Sequence, residues 1–457
     1  MKKVLCIIFS IMLLLASCTN EDDIDSKKVE STNSEEVEDK EITIAVWDMY
    51  YYNEKVADMA EFDDVCTYNG ISDIIVEFDV IRARDYKEFL DKLNVKLYLD
   101  EGPTLIRIPD MSFIYKMFKE KGIAEKIDND KVPNINNIYD FYLEDEVYFV
   151  PIGARYLCTS FNKGQIEKLN IEMPNLNLTA DEYYDIRKKW VEYNAPIEIS
   201  WSDVSDIVTD KLNNMNIFSE DYKAINIDTK IMRENIKTMK KEIYSGKYIL
   251  PNDFTYEDYY KACFDFSHQD RSKYEEFRTK GMSIYYFNSM SSNGLKTASI
   301  KTGIMEDRIS FPNIEHPKYN VDLGGFIVNK NGKNKELGYK FLNRLLGEEF
   351  QMKMYKGKYT YAPVIKTVED DIDKIESEQD LEPEVTELKN YIHDKMEKGE
   401  IKPKLYRNDR TLKTFNLRRK LYKDLFKFIF TEEEYSDEEL SRKLKELEDR
   451  YSVYLNE

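Results

Sequence analysis

The chain has 457 residues, roughly three average domains, which leaves room for two lobes that each bury a core. Lys and Arg total 67 against 87 Asp and Glu, a formal charge of -20, and such an acidic surface excludes broad binding to nucleic-acid phosphates. Apolar residues at 42%, with only 16 Gly and 12 Pro, exclude disordered and collagen-like classes, and three histidines leave little for His-based metal or acid–base chemistry.

In chain order, Lys2 and Lys3 precede an apolar run from Val4 to Ala16 that only Ser10 interrupts. The run is too short for a bilayer span, which takes about 20 residues. It has the layout of a secretory signal peptide over residues 1–17. It ends Leu15-Ala16-Ser17-Cys18, which resembles a bacterial lipobox. Small residues at Ala16 and Ser17 admit the backbone to a peptidase cleft, and the Cys18 thiolate takes the diacylglyceryl group. The expected location is the extracytoplasmic face of the cell membrane. Residues 18–40 carry nine acids, three lysines and no aromatic residue, so they read as a disordered tether of about 25 Å. Cys66, Cys158 and Cys263 remain beyond it. Three thiols are not a disulfide framework. Cys158 reads as a small buried hydrophobe, and a single bridge among the three stays open.

Glu41 to Trp47 alternates and is rich in β-branched residues, as a strand does. A loop follows over 48–53, and a helix begins near Glu54. Asp73 to Phe78 is a second strand. Phe89, Leu90 and Leu93 give helical spacing over 86–99, ended by Gly102-Pro103. Thr104 to Ile108 is a third strand, and Met111 to Gly122 a further helix. This alternation predicts a parallel sheet with helices on both faces. Val147 to Phe161 reads as two strand-like runs about Gly153. Thr179 to Glu182 is a capping box opening a helix with Tyr183, Ile186 and Trp190. Gly281 to Phe287 is a strand, and Val321 to Asn329 a strand pair or a strand bent at Gly324-Gly325. A helix with Leu337, Phe341, Leu342, Leu345 and Leu346 on one face follows. Residues 369–384 are acidic and solvated. A last helix, capped by Ser436 with Glu439, buries Leu440, Leu444, Leu447 and Tyr451.

Taken in order, these segments resemble the extracellular solute-binding proteins of bacterial ABC importers, the maltose-binding-like family. ITIAVWD is similar to that family's first strand and ligand loop. DEGPTLIRIPD with FKEKGIAEKID is similar to its next strand and helix, and DEVYFVPIGARYLCTSFNKGQIEKLNI to its interlobe crossover and Asn-Lys turn. LTADEYYDIRKKW, GMSIYYFNS and VDLGGFIVNKNGKNKELGYKFLNRLLGEEFQ follow in the family's order. The likeness covers residues 41–365. It departs where the family carries a Trp, since Asn288-Ser289-Met290 stands there.

The resemblance implies a periplasmic-binding-protein-like α/β fold, two lobes with a ligand cleft and hinge crossovers. The expected division gives 41–153 with 281–320 to the N-terminal lobe and 154–280 with 321–457 to the C-terminal lobe. It implies a lipid-anchored, monomeric receptor that captures a solute, a sugar or oligosaccharide, and delivers it to an ABC permease. No catalysis, cofactor, metal or nucleic-acid partner is implied. Cleft candidates sit at strand ends: Trp47, Asp48 and Tyr50, Asp110, Arg155 and Tyr156, Trp201 and Asp203, Phe287 and Asn288, and Gly325. Each has a structural alternative: Trp47 as a cap on the first strand's core, Arg155 as an ion-pair partner. The tyrosine pairs at 183–184, 259–260 and 285–286 read as packing. The sequence has no Gly-rich phosphate loop, HExxH, CxxC or GxSxG. Asp371, Asp373 and Glu382 imitate a calcium loop, but Glu376 stands where the turn requires Gly. Two other readings stay open: a surface sensor or adhesion lipoprotein on the same fold, and a secreted polysaccharide-processing enzyme.

Overall fold

A computed structural model describes residues 40–48, 74–83, 86–98, 102–108, 112–199, 201–219, 223–250, 255–264, 285–290, 308–312, 314, 318–356, 361–378, 383–407 and 412–456. The expected signal peptide, Cys18, the tether, the helix near Glu54 and Cys66 lie outside these residues.

The strands are β1 (Glu41–Asp48), β2 (Ile75–Arg82), β3 (Leu105–Arg107), β4 (Val150–Asn162), β5 (Ile197–Glu198), β6 (Tyr248–Ile249), β7 (Tyr285–Met290), β8 (Arg308–Pro312) and β9 (Val321–Val328). Seven form one sheet in the order β2-β1-β3-β9-β4-β7, with β8 also on β4, while β5 and β6 pair separately. The parallel sheet expected from the sequence holds for β1, β2 and β3 and is corrected beyond them, where the sheet is mixed. Only β1–β2 and β1–β3 are parallel within it; β9 and β4 run antiparallel to their neighbours. Connectivity is the reason. The helix Tyr86–Leu97 crosses over from β2 to β3, and such a crossover allows both strands to run parallel to β1. β4 leaves one hydrophobic core and β9 returns to it, so those two oppose each other.

The helices carry local signals that fix their ends. Those used below are α1 (Tyr86–Leu97), α2 (Ser112–Glu120), α3 (Ala180–Asn194), α4 (Lys230–Ile243), α5 (Lys335–Leu345), α6 (Glu348–Lys356), α7 (Glu369–Glu378), α8 (Pro383–Glu397), α9 (Leu412–Ile429) and α10 (Asp437–Asn456). In α1, Phe89, Leu90, Leu93 and Leu97 form the buried stripe that the spacing predicts. α2 ends because Gly122 takes a left-handed φ of +65°. The Ile123 N–H then bonds the Phe118 carbonyl at 2.9 Å and the Gly122 N–H that of Lys119 at 3.1 Å, a Schellman turn with both apolar partners buried. The capping box of α3 forms at Thr179 and Glu182. Ser436 Oγ accepts the Glu439 N–H at 3.1 Å and starts α10, whose Leu440, Leu444, Leu447 and Tyr451 are buried as expected. α7 buries no residue, in keeping with its acidic, solvated reading.

Two hydrophobic cores result. The first draws on 42–158 and 321–405: β1, β3, α1, α2, the first half of β4, β9, α5, α6 and α8. The second draws on 161–314 and 417–455: α3, α4, Phe311 of β8, α9 and α10. This differs from the lobe boundaries expected from the sequence. β9, α5, α6 and α8 pack with the first core because β9 is hydrogen-bonded between β3 and β4. Phe311 and Ile314 pack with the second. Val147 to Phe161, expected as two runs, contains a single strand, β4, with a register shift between Pro151 and Gly153. Cys158 is buried as expected, and its thiol donates weakly to the Tyr156 carbonyl at 3.8 Å.

Candidate functional site

Among the described residues the chain changes core three times: along β4 between Cys158 and Phe161, between Ile314 and Val321, and between Leu405 and Leu417. β4 belongs to both. Residues 150–156 pair with β9, and residues 156–162 pair with β7 and β8. Where these passages leave the first core, backbone bonds already join them. The Leu157 N–H bonds the Asn320 carbonyl at 2.7 Å, and the Lys402 N–H bonds the Lys318 carbonyl at 2.8 Å.

Side chains then converge. Arg155 and Asp322 are register partners on β4 and β9. Arg155 Nη2 lies 3.7 Å from Asp322 Oδ2, and Lys404 Nζ lies 3.5 Å from Asp322 Oδ1. The Asp322 side chain is only 6% exposed, against 26% for Arg155 and 33% for Lys404. The Arg155 guanidinium also sits over the Tyr361 ring, 4.9 Å from its centroid, a cation–π contact of about 0.5–1 kcal/mol at a partly exposed place.

The Tyr361 ring has a slot made for it. Gly153 and Gly324 face each other in register, and a Cβ on either would stand 2.6 or 2.7 Å from Tyr361 carbons. Both glycines therefore serve close approach, not a turn. The segment after Tyr361 is pinned to β4. Ala362 and Ala154 exchange two backbone bonds, at 2.7 and 2.9 Å. Buried Gln351 donates to the carbonyls of Ile152 and Leu345 at 3.0 and 2.8 Å and accepts the Val364 N–H at 3.0 Å.

Beneath this lies a buried polar network. The Tyr156 hydroxyl bonds His393 Nε2, and Tyr142 Oη lies 3.4 Å from Tyr156 Oη. Tyr139 and Phe141 add their rings to the imidazole. Burial pushes the His393 pKa down to about 4, with Lys389 acting the same way, and burial raises that of Tyr156. His393 is thus neutral at pH 7.

Of the residues expected at the cleft, Arg155 is the one that the joint brings together with partners from the other passages. Trp47 is taken up by the first core: its Nε1–H donates to the Ala83 carbonyl at 3.1 Å and its ring stacks on Phe89 at 5.3 Å. Tyr156 is buried in the His393 network. Asp203 lies inside the second core, 3.3 Å from Arg187, whose Nε also donates to Asp206 at 2.9 Å. Gly325 faces away from Tyr361, where a Cβ would stand 2.1 Å from the Val150 carbonyl oxygen. For Trp47, Tyr156, Asp203 and Gly325 the position is thus one of packing. Asp48 closes β1 opposite Arg82, Trp201 opens a helical turn, and Phe287 and Asn288 lie on β7 opposite Thr159 and Cys158; their side chains lie outside the described residues. Tyr50 and Asp110 lie outside them altogether.

Sequence reasoning missed Asp322, Lys404, Tyr361 and Gln351. Asp322 carried a signal, since it is the one charge in the apolar run VDLGGFIV. Tyr361 carried none in a chain with 34 tyrosines.

No protein-family model and no curated protein matches this sequence. Solved structures do resemble it in fold. One is an ABC transporter solute-binding protein from Thermotoga lettingae bound with α-D-tagatose: TM-score 0.53, 16% identity, covering 91% of this chain and 100% of that one. Another is the bacterial solute receptor AcbH, with a substrate preference for β-D-galactopyranose: TM-score 0.54, 15% identity, 91% and 98% covered. A third is maltose-bound MalE3 of T. maritima: TM-score 0.53, 15% identity, 89% and 99% covered. The chain has the periplasmic-binding-protein-like fold of such solute-binding proteins, as the sequence led one to expect.

Proposed function

We propose that this chain is a lipid-anchored receptor that captures a sugar or oligosaccharide outside the cell and hands it to an ABC permease. The observation that carries the reading is the joint: two cores, three chain passages, and one strand shared by both. Hinge closure about such a joint buries a ligand from two sides. Proteins of the same fold are bound with tagatose and with maltose, and one prefers β-D-galactopyranose as substrate, which supports a saccharide here. Arg155 and Lys404, both partly exposed, offer donors suited to its hydroxyls. Asp48, Tyr50, Asp110, Trp201, Phe287 and Asn288 join them as candidates from the sequence. The chain itself performs no reaction, and Cys18 carries the anchor.

The test is a thermal-melt panel of saccharides, with amino acids, polyamines and metal ions as controls. A sugar at about 100 times its Kd adds about 2.7 kcal/mol to stability. A shift with one saccharide class is expected, together with a mature N-terminus at a diacylglyceryl-modified Cys18 by mass spectrometry. Cooperative melting that no saccharide shifts overturns the receptor reading; a mature N-terminus elsewhere removes the anchor.

A further inference from the structure

We infer that Asp322 is the positioning residue of the joint: its carboxylate laces the three passages together and sets the resting angle between the two cores. The inference rests on the receptor reading only for its purpose, since the geometry stands without a ligand.

The argument begins with cost. A carboxylate as buried as that of Asp322 loses several kcal/mol of hydration unless it is paired, and a buried pair gives little net stability over apolar residues of the same size. What such a pair does supply is a fixed arrangement of the elements that meet at it. Here the elements are the three passages. Asp322 stands on β9, at the end of the second passage. Two cations reach it, one from each of the others: Arg155 from β4 and Lys404 from the 3-10 turn Lys404–Tyr406 at the start of the third. Backbone bonds join the passages two at a time, whereas this carboxylate reaches both neighbours at once. Arg155 is held in turn by the Tyr361 ring, seated on Gly153 and Gly324. With the carboxylate in place, the roots of the passages move as one body. Without it, only the pairwise backbone bonds hold the roots, and the angle between cores spreads.

The experiment measures that spread on the ligand-free full chain. Ketone-bearing non-natural residues at Val95 on α1 and Tyr193 on α3, exposed at 71% and 64%, take oxime spin labels and leave the native cysteines untouched. Dipolar spectroscopy then gives the distance distribution between the cores. The parent is expected to give one narrow distribution, and Asp322→Asn to widen it about twofold or more. Lys404→Met, at a partly exposed site where the fold tolerates the change, is expected to widen it to a lesser degree and carries the test if Asp322→Asn does not fold. Folded variants with a lower Tm and the parent's width overturn the inference and leave a merely structural ion pair. A parent already as wide as its variants overturns it as well. Because no sugar is present, the outcome does not depend on the saccharide panel.

Discussion

Two of the arginine–aspartate sites among the described residues are built differently. In the second core, Arg187 sits between Asp203 and Asp206 with bonds of 3.3 and 2.9 Å, and a further bond of 3.2 Å to the Tyr248 hydroxyl. These three partners lie in the second core, and all are buried. At the joint, Arg155 and Lys404 approach Asp322 at 3.7 and 3.5 Å, beyond hydrogen-bond length, and both cations are partly exposed. The first site is scaffold: short, dry and confined to one packed body. The second is looser and joins segments that lead into different bodies. Distance and hydration thus separate an ion pair that holds a core from one that positions cores.

The largest effect that probes this contrast is Arg187→Met. It strands two buried carboxylates, so about 3–5 kcal/mol of stability should be lost in urea denaturation, while the distance between labels on the two cores stays as in the parent. A loss under about 1 kcal/mol would erase the distinction from the scaffold side. Next comes pH, through the first core's own buried network. The folded His393 pKa is held at about 4, below the ordinary 6.5. Between these values the unfolded chain binds a proton that the folded chain refuses. Stability is therefore full above pH 6.5 and falls by about 3 kcal/mol as pH drops toward 4. Burial pushes the Glu125 carboxyl up, but the bonds from Lys335, Tyr339 and Lys131 outweigh it and hold its pKa below the ordinary 4.5, so its loss adds mainly below that pH. Denaturation across pH should show this slope, and His393→Gln should flatten it; an unchanged slope assigns it to other groups. The smallest effect belongs to Lys404→Met, about 0.5 kcal/mol and weaker in high salt, as a partly exposed pair requires. A salt-independent loss above about 2 kcal/mol would make the joint a scaffold like the Arg187 site.

Much of the fold was legible because its signals are local. Thr179 with Glu182, Ser436 with Glu439, and the stripe of Phe89, Leu90 and Leu93 each depend on residues within one or two helical turns. β1 was legible by alternation. The order of segments told the fold class. What was not legible depends on distant pairing. Nothing near Leu105 says that its sheet neighbour is Val328, and nothing near Val150 says that β4 continues through Gly153 unbroken. The site was harder still. A Trp or Tyr after a strand looks alike whether it faces a cleft or a core. Trp47 and Tyr156 turned inward because the Ala83 carbonyl and the His393 imidazole await them there, and both partners come from elsewhere in the chain. Asp322 announced its oddity, but its partners lie on other passages, one of them Lys404 far along the sequence.

The place of β9 between β3 and β4 sets a schedule for synthesis. β3 and β4 leave the ribosome early, yet the strand that fills the gap between them is made only after the second core's β5 to β8. Until then, two inner edges of the sheet stay unpaired, open to the wrong strand or to another chain. The first core therefore begins first and finishes late, and a nascent chain halted before Val321 has no native way to close it.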